Sequence, residues 1–152
     1  MKKGILGDTV PLELNAKELV HRNNKNSELT VYGYTPMMVS VQCVQKTMDH
    51  CNHACVQYVL KDRYQKEFRG VCSCEFCYNT IYNTLPTSLL KEKEKAEKLG
   101  VKAYRLSFTT ETQQETEKIV RAFVDVYLRG QKPDGQMQTE ETTKGHFQRG
   151  VE

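Results

Sequence analysis

"PTSLLKEKEKAEKLGVKAYRLSF", residues 86–108, decides the fold class, because two periodicities meet within it. Residues 86–100 carry strong helix formers and end on Gly100, the residue type that closes a helix in the left-handed conformation. Residues 101–108 then alternate Tyr104, Leu106 and Phe108, as a strand with one buried face does. Upstream, "VPLELN" (10–15) alternates Val10, Leu12 and Leu14, and Asn15 with Glu18 three residues later forms a capping pair. A strand over 10–15 and a short helix ending near "HRNNKNS" are expected. "ELTVYGY" (28–34) and "PMMVSVQ" (36–42), broken at Gly33 and Pro36, predict a buried strand that delivers Cys43. Downstream, "TETQQETEKIVRAFVDVYLRG" (110–130) predicts a helix. Its start is read as a Thr110/Gln113 capping box, its apolar face as Ile119, Val120, Phe123, Val126 and Tyr127, and its end as Gly130.

Between these elements, residues 43–85 are rich in Cys, Asn, Tyr and Asp without sustained periodicity, and read as a loop-dominated insertion. The order β-α-β-(Cys segment)-α-β-α matches an α/β architecture with a parallel sheet. Three strands are too few to close a barrel, so the choice is a small open sheet or part of a larger (β/α) barrel. Residues 131–145 are polar, with Pro and Gly, and open a polar tail that runs to residue 152.

The 152 residues suit one domain or one piece of a larger one, with a modest core given the mean hydropathy of −0.64. The net charge of +3 arises from 22 basic and 19 acidic residues that are interspersed, so no electropositive stripe speaks for nucleic acid and none of the balance speaks against it. "KEKEKAEK" (91–98) is read as a solvated helix face. No apolar run approaches the eighteen residues of a membrane span, and "MKKGILGDTV" lacks a signal-like apolar stretch. A soluble, cytoplasmic protein is expected.

In a reducing compartment, six cysteines within 35 positions read as metal ligands before disulfides or inert core thiols. Magnitudes agree: a bridge gives about 2–4 kcal/mol, a structural metal on the order of 10–16 kcal/mol. Cys74 and Cys77 form C-x2-C, and Cys43 with Cys51 forms a looser C-x7-C. Four thiolates would satisfy tetrahedral zinc or an iron–sulfur cluster, and Cys55, Cys72, His50 and His53 are spare donors.

With these residues placed, the chain resembles the peptidase U-thirty-two family, the collagenase-like peptidases, over about residues 10–152. The resemblance rests on "PLELNAKEL", "VYGYTPMMVSVQCVQK", "LKDR", "CEFCYNTIYNTLP", "GVKAYRLSFTTE" and "KGHFQRGVE", in the family's order. It implies that residues 8–130 are the later strands of a (β/α) barrel carrying a Cys-rich metal-binding loop at 43–85. It also implies a four-cysteine iron–sulfur site of the 4Fe-4S kind held by Cys43, Cys51, Cys74 and Cys77, with Cys55 and Cys72 as additions and zinc as the alternative. Some members act in hydroxylation of tRNA or rRNA, so RNA is the implied partner. The alternatives are a hydrolase, a protease in the literal sense, and a non-enzymatic metal-stabilised binding module. Family proteins are usually longer, which makes a fragment, with a companion chain supplying the missing barrel strands, the expectation. Tyr34 and Lys144 stand where the family commonly has arginine.

No G-x-S-x-G or H-E-x-x-H motif is present, so nothing local marks a hydrolytic nucleophile or zinc-bound water. His146 and Arg149 in "KGHFQRG" are candidates for an anionic substrate, against simple docking of the segment. Arg105 is a candidate for the barrel lumen, against a surface ion pair. Glu13 and Asn15 fall where a barrel's active site forms, although Asn15 suits a helix cap better. Asp62 and Arg63 are expected to steady the metal loop, and Tyr78 and Tyr82 to pack beside it or stack on a base.

Overall fold

The computed structural model describes residues 7–49, 51–133 and 141–149. In chain order its elements are β1 (Asp8–Thr9), α1 (Ala16–Val20), β2 (Ser27–Gly33), β3 (Pro36–Ser40), α2 (Val44–Thr47) and β4 (Val56–Lys61). There follow β5 (Glu67–Ser73), β6 (Tyr78–Tyr82), β7 (Thr87–Ser88), α3 (Lys93–Lys98), β8 (Ala103–Ser107) and α4 (Gln113–Phe123). The protein is mixed α/β, and its described strands form two sheets of four, neither closed into a barrel. The chain divides into two compact units, one comprising the chain up to Gly33 and from Thr87 onward, the other Tyr34–Pro86. Among the described residues no helix is long and apolar enough to cross a membrane.

The first unit is organised around β2. Its partner β8 runs parallel along one edge, Leu29 opposite Tyr104 and Gly33 opposite Ser107, with a register shift between Thr30 and Tyr32. The other edge is shared by β1, parallel at Ser27 and Glu28, and β7, antiparallel at Tyr32 and Gly33. The strand expected over 10–15 is displaced to Asp8–Thr9. Pro11 explains the shift: Val10 still donates its N–H to the Glu28 carbonyl at 2.9 Å, but proline has no N–H with which to continue the ladder. The capping pair behaves as expected. Asn15 Oδ1 accepts from the N–H groups of Lys17 and Glu18 at 2.9 and 3.0 Å, and Glu18 Oε2 accepts from Asn15 N–H at 2.8 Å.

The helix expected over 86–100 is shorter, because Thr87 and Ser88 pair with β2 and a single 3-10 turn at Leu90–Glu92 precedes α3. Gly100 closes it at φ 62, and Gly130 sits at φ 69 after the last helical turn, both in the left-handed region where a Cβ is disfavoured. The capping box of α4 is Thr112/Glu115 rather than Thr110/Gln113: Thr112 N–H donates to Glu115 Oε2 at 2.7 Å and Glu115 N–H to Thr112 Oγ1 at 3.3 Å. The earlier start is blocked because Glu111 Oε2 already accepts from the N–H groups of Thr109 and Thr110. Beyond Phe123 the helix widens to π geometry over Val124–Leu128, which keeps Val126 in the core and lets Tyr127 donate to the Leu89 carbonyl at 2.8 Å.

The core joins Val10, Leu19, Leu29, Val31, Tyr32, Leu89, Leu99, Ile119, Phe123 and Val126. Val120, expected on the apolar face, is exposed. Buried Asn24 ties two helix ends together, donating to the carbonyls of Leu19 at 2.8 Å and Leu99 at 3.2 Å. The C-terminal segment packs into this unit: Phe147 joins the core, Ser88 N–H donates to the Thr143 carbonyl at 2.8 Å, and Lys144 pairs with buried Glu92.

The second unit is a sheet in the order β3-β6-β5-β4, antiparallel throughout. The loop-dominated expectation for 43–85 is thereby corrected: "VQYVLK" and "EFRGVCS" are paired strands, Val56 opposite Cys72 and Lys61 opposite Glu67. Periodicity was a poor guide here because the sheet buries little apolar surface, so polar residues recur on both faces. Asp62 serves the hairpin turn instead of a metal loop, its Oδ1 accepting from the N–H groups of Tyr64 at 2.7 Å and Lys66 at 2.9 Å. Arg63 lies over the Tyr64 ring, 4.7 Å from its centroid. The buried strand expected to run through to Cys43 is two strands: β2 ends at Gly33, and β3 belongs to this second sheet.

Candidate metal centre

All six cysteines lie in the Tyr34–Pro86 unit, carried by three pieces of backbone. Cys43 occupies the position before α2; Cys51, His53 and Cys55 sit in the segment leading to β4; Cys72 is on β5, followed by Cys74 and Cys77 at the ends of a 3-10 turn. Backbone and amide hydrogen bonds bring these pieces together. Asn79 on β6, 1% exposed, donates through Nδ2 to the Gln42 carbonyl at 2.5 Å and so fixes the residue before Cys43. Gln45 on α2 reaches the second segment, donating to the Ala54 carbonyl at 2.9 Å and accepting from Asn52 N–H at 3.4 Å. Asn52 Oδ1 in turn accepts from Ala54 N–H at 3.1 Å, a tight turn centred on His53, whose φ is 57.

The side chains gather into two groups. In the first, Cys51 Sγ, a ring nitrogen of His53 and Cys74 Sγ all lie within 4.8 Å of one another. In the second, Cys43 Sγ and Cys72 Sγ are 3.6 Å apart, both residues buried. Of the four cysteines that the family resemblance implies, Cys51 and Cys74 share the first group and Cys43 stands in the second. Cys77 is exposed at φ 52 with its sulfur 3.6 Å from the Cys74 carbonyl oxygen. Cys72, expected as an addition outside the ligands, is the neighbour of Cys43, and His53, a spare donor in the sequence, belongs to the tightest group.

The electrostatics of the two groups differ. Burial, and then the neighbouring Cys43, push the Cys72 thiol up to about 11. Burial and the nearby Cys51 raise Cys74 above the ordinary thiol range. Cys43 moves the other way: the backbone N–H of Lys46 opposes its desolvation, Cys72 and Gln45 N–H assist, and the thiol falls below its usual range. Tyr58, facing Gly70 across β4 and β5, is raised by burial and by the proximity of Cys72 and Cys43. Thiols held protonated by burial become ligands when a cation supplies the missing charge, so this donor set fits a soft or borderline metal. A cysteine–histidine–cysteine group of this kind can hold a metal ion.

The remaining candidates lie elsewhere. Arg105 on β8 pairs with Glu28 on β2 at 2.5 Å, a surface ion pair in place of the expected lumen position. That carboxylate also accepts from Thr9 at 2.6 Å, which, ahead of Arg105, draws Glu28 below its usual range. His146 and Arg149 are exposed on either side of buried Phe147. Tyr78 stacks on Phe76 with centroids 6.3 Å apart, a packing arrangement. Gln45 and Asn79, which assemble the thiol region, escaped sequence reading because an amide reveals its hydrogen-bond partner only in three dimensions. Compared with family models, curated proteins and solved structures, the chain finds no match.

Proposed function

We propose that this chain is a metal-centre protein of the U-thirty-two type, acting through an iron–sulfur site in hydroxylation of tRNA or rRNA. The observation that carries the reading is the concentration of thiol and imidazole donors in one unit, with Cys51, His53 and Cys74 within 4.8 Å of one another. The parallel strands β1, β2 and β8, with helices between them, support assignment of the other unit to the later strands of a (β/α) barrel. On this reading a companion chain supplies the remaining strands and RNA is the substrate. An iron–sulfur group would supply redox chemistry, while the chain's own residues hold it and limit its exposure.

Anaerobic purification with iron and acid-labile sulfide analysis tests the metal. Stoichiometric iron and sulfide are expected, and a colourless protein holding stoichiometric zinc would refute the iron–sulfur assignment. Mass spectrometry of tRNA and rRNA nucleosides from cells with and without the chain tests the reaction. An unchanged content of hydroxylated nucleosides would refute the RNA assignment.

A further inference from the structure

We infer that His53 is a ligand of the metal centre, sharing one metal ion with Cys51 and Cys74 through the chelating run Cys51-Asn52-His53. This rests on the reading that the unit binds metal, but not on the metal being iron. Donors bonded tetrahedrally to one zinc-like ion at about 2.3 Å for sulfur and about 2.0–2.1 Å for nitrogen lie roughly 3.5–3.8 Å apart. The observed group lies within 4.8 Å, so closure onto an ion requires contraction of no more than about 1.3 Å.

The means for that contraction are present. Cys74 is buried and anchored at the end of β5, whereas Cys51 and His53 are exposed residues of a connecting segment. The Asn52 turn, tied to α2 through Gln45, presents both residues toward Cys74. Cys43 and Cys72 are engaged with each other at 3.6 Å and are outside the group. Among the described residues no fourth Cys, His, Asp or Glu joins within the same distance, so the site offers two thiolates and one imidazole, with a coordination position left for an exogenous ligand. Mixed sulfur and nitrogen donors suit a borderline-soft metal, either a single divalent ion or one iron of a cluster.

The test is anaerobic titration of the full reduced chain with Co2+, followed by sulfur-to-cobalt charge-transfer and d–d absorption. The wild-type spectrum should show tetrahedral cobalt with two thiolates, and magnetic resonance of the cobalt form should show coupling to an imidazole nitrogen. His53→Ala should weaken Co2+ binding at least tenfold and abolish that coupling. His53→Cys, which keeps a ligand, should restore affinity and add one thiolate's charge-transfer intensity, separating ligation from loss of fold. Wild-type affinity and spectrum in His53→Ala would overturn the inference, as would a wild-type chain that binds no Co2+. Absence of iron and sulfide with an intact cobalt result would instead count only against the iron–sulfur reading.

Discussion

Replacing Asn79 by aspartate changes one atom and should convert a support of the thiol region into a pH-dependent fault. Asn79 is 1% exposed, its Nδ2 donates to the Gln42 carbonyl at 2.5 Å, and its Oδ1 is buried with no partner among the described residues. Asn79→Ala removes the donor, which costs about 1–3 kcal/mol, but also removes the unpaired oxygen, leaving a net loss of about 1–2 kcal/mol. Asn79→Asp instead places a carboxyl at this buried position. Burial raises a carboxyl by about three units or more in such sites, and at about 1.4 kcal/mol per unit the penalty approaches 4 kcal/mol at neutral pH. The folded-state pKa is then above the unfolded value, so the penalty is absent below about pH 3.9, where both states are protonated. It grows as pH rises through that value and levels off above the folded pKa. Urea denaturation of both variants and wild type under reducing conditions, read by circular dichroism from pH 3 to 8, measures this directly. A difference between Asn79→Asp and wild type that stays flat with pH, or an alanine variant less stable than the aspartate at pH 7, would refute the reasoning.

Three further outcomes are expected. Gly70→Ala would place a Cβ 2.3 Å from the Tyr58 ring, so it should destabilise by about 1–3 kcal/mol in denaturant titration. Truncating Tyr58 to alanine in the same chain should cost less than the two changes summed, and strict additivity would count against the contact. Phe147→Ala should cost about 3–5 kcal/mol because it empties a core position. At roughly 2–4 °C per kcal/mol the melting temperature should drop by more than about 6 °C, and a drop under about 2 °C would show that the segment does not dock as described. For Glu92, burial opposes ionisation but the ammonium groups of Lys144 and Lys95 outweigh it, holding the carboxyl below its usual range. Its contribution is therefore present above about pH 4.3 and is lost as pH falls through the lower folded value. Glu92→Gln should destabilise at pH 7 and approach wild type near pH 3, and equal losses at both would contradict the pairing.

The first unit was legible where periodicity and caps agree. Asn15 with Glu18, and Gly100 and Gly130 as helix terminators, each follow from a local rule with one dominant cause, whereas alternation located β8 but not its buried face, since Tyr104 is exposed and Leu106 half-buried. Errors arose where a local rule had a competitor: Pro11 ended a strand that alternation would have extended, and Glu111 claimed the N–H groups of Thr109 and Thr110. The second unit was least legible because its antiparallel strands rest on hydrogen bonding and a few buried residues, Cys72 and Asn79 among them, rather than on an apolar face. At the candidate metal centre, clustering of cysteines is visible in the sequence, but which donors approach one another depends on turns set by Gln45 and Asn52, and no spacing rule contains that information.

The division of the first unit between two separated stretches of chain has a consequence for how the protein is made. Its central strand β2 is synthesised before Thr87, yet its parallel partner β8 begins at Ala103 and its core includes Phe147. Contacts of that sequence separation carry a large loop-closure cost and form slowly. Tyr34–Pro86, by contrast, is contiguous and built from antiparallel neighbours, so its hairpins can form while the ribosome is still delivering α4. Through that interval Leu29 and Val31 lack most of their eventual cover, which leaves "ELTVYGY" a β-prone stretch exposed on the nascent chain.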